Sequence, residues 1–102
     1  PWPVAFRRKI GWQIKFLRLR QLRRLRTCWG PNGKGKLAPL ALREVAKNGK
    51  GHQIDSRIRS GISRPVLFVV GNVVWDGNHT LMAMLKSRYK GPVLVFWRPR
   101  RR

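Results

Sequence analysis

Residues 73–97, VVWDGNHTLMAMLKSRYKGPVLVFW, decide how the rest of this chain is read. Val73-Val74-Trp75 has the β-branched and aromatic composition of a buried strand end. Asp76-Gly77-Asn78 is turn chemistry, because Gly accepts positive φ while Asp and Asn bond their own backbone. Leu81, Met82, Met84 and Leu85 then fall at helical spacing. Lys86, Ser87 and Arg88 close the last turn, where the helix dipole favours cations. Gly91-Pro92 is read as the helix stop, and residues 93–97 as a second strand. A polar turn that feeds a helix leaves backbone N–H groups pointing outward. Gly77, Asn78, His79 and Thr80 are therefore candidate phosphate- or nucleotide-binding residues.

The rest of the composition says what such a site would serve. The chain has 102 residues, 24 Lys and Arg against 3 acids, and a formal charge of +21. Glu44, Asp55 and Asp76 are the only acids, so ion pairing cannot account for the excess. A chain of this charge repels itself and calls for a polyanionic partner. Nucleic acid comes first, an acidic protein surface second and an anionic membrane third. At 42% apolar residues the chain can still build a modest core, which argues against wholesale disorder. Cys28 is alone, which excludes an intrachain disulfide and a Cys-rich zinc site. No apolar run approaches the ~20 residues that span a bilayer. The start, Pro1-Trp2-Pro3, has no Met, and its Arg-rich, acid-free character has something of a targeting leader without the serines. A cytoplasmic or nucleoid-associated location is expected, with an organellar one left open.

Working outward, residues 10–29 place Ile14, Leu17, Leu22, Leu25 and Trp29 at spacings of three to five, a loose helical stripe. Leu, Arg, Gln and Lys are good helix formers, so a helix is preferred, although a strand over residues 14–20 stays open. Gly30-Pro31-Asn32-Gly33 breaks this segment and is the expected boundary. The expected organisation is a basic helical arm over residues 1–33 and a domain over 34–102 ending in a basic tail. Eleven of the basic residues lie in 1–36 with no acid; thirteen, with all three acids, lie beyond. The arm and tail supply the candidate nucleic-acid contacts Lys15, Arg18, Arg20, Arg23, Arg24, Arg26, Arg100, Arg101 and Arg102. Arg57 and Arg59 join them from a helix over residues 53–62, whose apolar face is Ile54, Ile58 and Ile62. Residues 40–46 read as a short helix or a strand.

Asp76-Gly77-Asn78-His79, the small-apolar helix after it, and Gly91-Pro92-Val93 with its strand resemble the ParB/sulfiredoxin superfamily. There, a D-G-N-H-R or D-G-H-H-R turn opens a helix and a terminal strand follows. The similarity extends over residues 36–97: Leu37-Ala38-Pro39-Leu40 resembles the family's first strand, residues 53–61 its first helical segment, and Arg64-Pro65-Val66-Leu67-Phe68-Val69 its P-I-x-V strand. The resemblance implies a small α/β or α+β domain with a mixed sheet, and nucleic-acid, nucleotide or nuclease-like activity. Thr80 departs from the pattern, standing where the family has an Arg that helps to hold phosphate. Asn78 stands where sulfiredoxins carry their catalytic Cys, so that chemistry is not implied.

For catalysis the candidates are Asp76 and His79, because a carboxylate near a His can fix its tautomer. The competing reading makes Asp76 a helix cap and His79 a packing residue. Ser56, Ser60, Ser63 and Ser87 have no evident base beside them, and two His with three scattered acids make no metal site. A nucleotide is the one cofactor the turn suggests. The expected function is nucleic-acid binding, DNA before RNA. The alternatives are a ParB-like nuclease or nucleotide hydrolase, and a basic adaptor or inhibitor on an acidic protein. Of the five tryptophans, Trp2 and Trp12 are the expected exceptions to burial.

Overall fold

Three short, near-continuous apolar runs build the centre of a five-stranded mixed sheet, seen in a computed structural model that describes residues 11–49, 51–62 and 65–100. In chain order the elements are β1 (Gln13–Leu17), the single-turn helix α1 (Leu19–Leu22), β2 (Arg26–Thr27) and a 3₁₀ turn (Pro31–Gly33). Helices α2 (Ala38–Lys47) and α3 (His52–Arg59) follow. Then come β3 (Val66–Val70), β4 (Val73–Asp76), α4 (Asn78–Ser87) and β5 (Val93–Arg98). The strand order is β1-β5-β3-β4-β2. β5 runs parallel to β3 and antiparallel to β1; β4 runs antiparallel to β3 and parallel to β2. The protein is a small α+β domain, as expected.

The pleat sorts the side chains. Leu67, Val69, Val74, Val93 and Val95 enter one core with the helices. Leu81, Met82, Ala83, Met84 and Leu85 of α4 are all buried, because α4 touches α1, α2, α3 and β3. Ile54 of α3 is buried and Ile58 packs against the same cluster, the face read from their spacing; Ile62 packs there too, but from beyond the helix, which ends at Arg59. The opposite sheet face is aromatic: Phe68 stacks on Phe96 at 5.1 Å, and Trp12 meets Phe68 edge-on at 5.8 Å.

The N-terminal segment departs most from expectation. Residues 13–17 form a strand, not a helix. Ile14 and Phe16 lie opposite Phe96 and Leu94 on one face, while Lys15 and Leu17 lie opposite Val95 and Val93 on the other. The free edge of β5 offers unpaired backbone groups, and satisfying them outweighs the helix propensity of Leu, Arg and Gln. Helix appears only for the one turn of α1, where Leu22 is fully buried.

Gly30-Pro31-Asn32-Gly33 is likewise not a boundary but the tip of a closed loop. Thr27 N–H donates to Lys36 O (3.0 Å), Gly35 N–H to Thr27 O (2.7 Å), and Ala38 N–H to Leu25 O (2.9 Å). Gly35 is required there, since a Cβ would sit 2.4 Å from Thr27 Oγ1. The described part of residues 1–33 is thus sheet and core, not an appended helical arm. Leu37-Ala38-Pro39-Leu40 opens α2 and is not a strand; Pro39 suits the first helical turn, where N–H groups have no partner.

At its far end, α4 stops three residues before Gly91. Arg88 takes φ 53°, and the N–H groups of Arg88 and Tyr89 donate back to Leu85 O and Met84 O. This is a Schellman cap with an arginine in the left-handed position usually held by Gly.

Candidate nucleic-acid interface

β4 ends at Asp76 and Gly77 turns the chain into α4 with φ 96°, ψ 18°. A Cβ at Gly77 would lie 2.7 Å from Leu67 Cδ2 and 3.1 Å from Val66 O, so the turn grazes β3 and admits only glycine. The first bond of α4 runs from Leu81 N–H to Gly77 O (2.8 Å). The N–H groups of Asn78, His79 and Thr80 therefore precede the intrahelical ladder, at the positive end of the dipole. No side chain caps this helix. Asp76 is exposed at the strand end, so the cap expected of it is not made.

Asn78 does not face a ligand. Its side chain is buried, and Nδ2 donates to Val74 O (3.0 Å) and to Cys28 Sγ (3.2 Å), while Oδ1 accepts from Cys28 N–H (3.4 Å). Asn78 clamps the loop after β2 onto the turn, and only its backbone N–H is left for an anion. Cys28, fifty residues away in sequence, is the partner that sequence reasoning missed.

His79 packs against Trp29, ring centroids 5.0 Å apart. Burial, and secondarily the nearby Arg57 charge, hold it below its ordinary value of 6.5. It is a neutral imidazole at physiological pH, able to donate one hydrogen bond and accept another. Asp76 is not among the groups that perturb it, and no hydrogen bond joins the two. The acid–base pair drawn from the sequence is not assembled.

What the turn does border is a cleft of about 440 Å³, lined by Asp76, Gly77, Asn78, His79 and Thr80 with Cys28, Trp29, Arg57, Val66 and Trp75. Trp29 and Trp75 are 40% and 59% exposed. They, and not half-buried Trp12 and Trp97, are the exposed tryptophans among the described residues. Arg57 brings a guanidinium to the cleft that Thr80 also lines. Trp29 and His79 also line a second cavity of about 340 Å³, with Thr27, Lys36, Ala41, Glu44, Val45 and Asn48.

The remaining cations are spread over the surface. Arg18, Arg20, Arg23 and Arg24 are exposed on and around α1, Arg59 on α3, and Arg100 after β5. Three others also have structural work. Lys15 Nζ sits 3.7 Å from the centre of the Trp97 ring, Arg98 lies 5.6 Å from that of Trp12, and Arg26 Nη1 donates to Gly35 O (3.1 Å). Arg101, Arg102, Arg64 and residues 1–10 lie outside the described residues. Two of the three acids are neutralised, Glu44 by Lys36 and Asp55 by Lys86. The hydrogen bond from Lys86 is the main reason that the Asp55 carboxyl lies below 3.8. Among the described residues no group of three or more His, Cys, Asp or Glu is placed to hold a metal ion. No helix there is long and apolar enough to cross a membrane. No protein-family model, no curated protein and no solved structure matches the chain.

Proposed function

We propose that this protein binds nucleic acid, DNA before RNA, by neutralising backbone phosphates with its exposed arginines. One phosphate would be held at the start of α4 by the N–H groups of residues 78–80, the Thr80 hydroxyl and Arg57. The observation that carries this reading is the charge balance: +21 overall, with two of the three carboxylates already held in surface ion pairs. A duplex presents one phosphate charge per ~1.7 Å of axis, the partner such a surface fits best. Two exposed indoles beside the phosphate cleft suit bases as well as backbone.

The likeness to the ParB/sulfiredoxin superfamily belongs to the same proposal. It is supported by the order β4, tight Gly77 turn, α4, β5 and weakened by the helix at residues 37–40. Nothing in the arrangement of Asp76 and His79 favours a nuclease. The test is the nucleic-acid to protein absorbance ratio of material purified in low salt and again after a high-salt wash. Nucleic acid should travel with the protein in the first and leave in the second. Co-purification of an acidic protein instead would favour the adaptor reading.

A further inference from the structure

The second cavity adjoins the phosphate cleft at Trp29 and His79, yet its chemistry is different. At about 340 Å³ it falls within the ~300–1,000 Å³ of small-molecule sites. Ala41 and Val45 of α2 give it an apolar side, and the indole of Trp29 an aromatic one. Its polar groups are Thr27, Lys36, Glu44, Asn48 and His79. Thr27 is 1% exposed; Oγ1 accepts from Trp29 N–H (3.4 Å), and among the described hydrogen bonds the hydroxyl donates to nothing. Asn48 adds an amide and His79 a neutral imidazole. Glu44 is the unexpected member. Lys36 donates to its Oε2, and none of the described hydrogen bonds uses Oε1. In a chain with three acids, a carboxylate beside a phosphate cleft weakens anion binding unless it recognises a donor on the ligand.

From this we infer that the cavity takes one unpaired nucleobase with an exocyclic amino group, adenine, cytosine or guanine, while its phosphate lies in the adjoining cleft. The inference rests on the nucleic-acid reading above and sharpens it. Trp29 stacks on the base, and Glu44 accepts from the amino group, as carboxylates do from cytosine N4. Thymine and uracil offer carbonyl oxygens and an imide N–H on that edge, and the oxygens meet the carboxylate unfavourably. A base inside a duplex cannot enter such a cavity, so the ligand is a single strand, a strand end or an everted nucleotide. A free nucleotide carries the same chemistry, and the experiment separates the two sources.

The experiment compares oligo-dA, oligo-dC and oligo-dT of equal length, a duplex of mixed sequence, and the nucleosides adenosine, cytidine and thymidine. Binding is read by anisotropy for the strands and by Trp quenching for the nucleosides. Oligo-dA and oligo-dC should bind roughly five- to a hundredfold more tightly than oligo-dT, the discrimination of one good hydrogen-bonded edge. Glu44→Gln should collapse that preference. Asn48→Trp, at an exposed position lining the cavity, should abolish it. Trp29→Ala should weaken the preferred strands by roughly five- to a hundredfold. Equal affinity for all strands and duplex, unmoved by Asn48→Trp, overturns the base cavity and leaves the nucleic-acid reading intact. Adenosine or cytidine binding that Glu44→Gln removes, with no strand bound, keeps the cavity for free nucleosides and overturns the nucleic-acid reading. If neither strands nor nucleosides bind, both fall.

Discussion

Replacing Leu22 by alanine should unfold this protein far more easily, although Leu22 sits in the Arg-rich segment that reads as a surface arm. Its side chain is fully buried, in the same cluster as Leu25, Leu81 and Met82. Truncating a buried leucine costs the lost transfer energy plus a residual cavity, about 2–5 kcal/mol. Alanine's better helix propensity returns only a few tenths. The single turn of α1 is tied at one side to β1 and at the other to β2, so the gap has little room to close and the upper part of the range is expected. Small domains have about 5–15 kcal/mol in total, so the loss is a large share. At ~4–8 °C per kcal/mol for a domain near this size, Tm should fall by roughly 15–40 °C. Urea unfolding followed by both circular dichroism and Trp fluorescence measures it, with Arg20→Ala and Arg23→Ala as exposed controls expected within about 0.5 kcal/mol. A loss below about 0.5 kcal/mol for Leu22→Ala would mean that residues 19–25 are not in the core, and that the arm description was right.

Other substitutions probe the turn and its helix. Gly77→Ala should cost about 2–4 kcal/mol, combining the left-handed conformation with a methyl pressed against Leu67 and Val66 O; an unchanged Tm would show that the turn has another backbone. Arg88→Gly should raise stability by about 0.5–1 kcal/mol by relieving the left-handed arginine of the cap, and a fall in Tm would refute it. For pH, His79 lies below 6.5 in the folded protein through burial and then Arg57. The unfolded chain therefore takes up the proton first, and stability should fall as pH drops through 6.5 towards the folded value. His79→Gln should flatten that part of a Tm profile between about pH 8 and 5. Asp55, held below 3.8 chiefly by Lys86, contributes stability that is lost only at more acid pH, so its window is separate.

The elements that could be read in advance were those whose side chains have one period and one destination. Leu81, Met82, Met84 and Leu85 mark a buried helix, Ile54 and Ile58 a helix face, and residues 93–97 a core strand; all three are found, although Ile62 falls beyond the helix that its spacing placed it on. Residues 13–29 could not be settled locally, because Leu, Arg and Gln serve either state. The partner edge of β5, about eighty residues along the chain, decides the outcome. Residues 37–40 misled because the strand was taken from the resemblance, whereas Pro39 suits the first turn of a helix. In the site, the Gly77 turn was legible from its chemistry. The Cys28–Asn78 clamp was not, since no spacing in a sequence reports a contact between residues 28 and 78. The same holds for the pairing of Trp29 with His79, two residues that line both the cleft and the cavity.

Nucleic-acid binding by charge is tested most directly by the salt dependence of duplex affinity. Each phosphate neutralised on B-DNA contributes a slope of about −0.9 in log K against log salt. Engagement of six to ten of the exposed cations should lower affinity by about 10³–10⁵ between 50 and 200 mM salt. A titration of labelled duplex by anisotropy across that range should give a straight line of steep negative slope. A flat line, or no binding at the lowest salt, would contradict nucleic-acid binding through this surface.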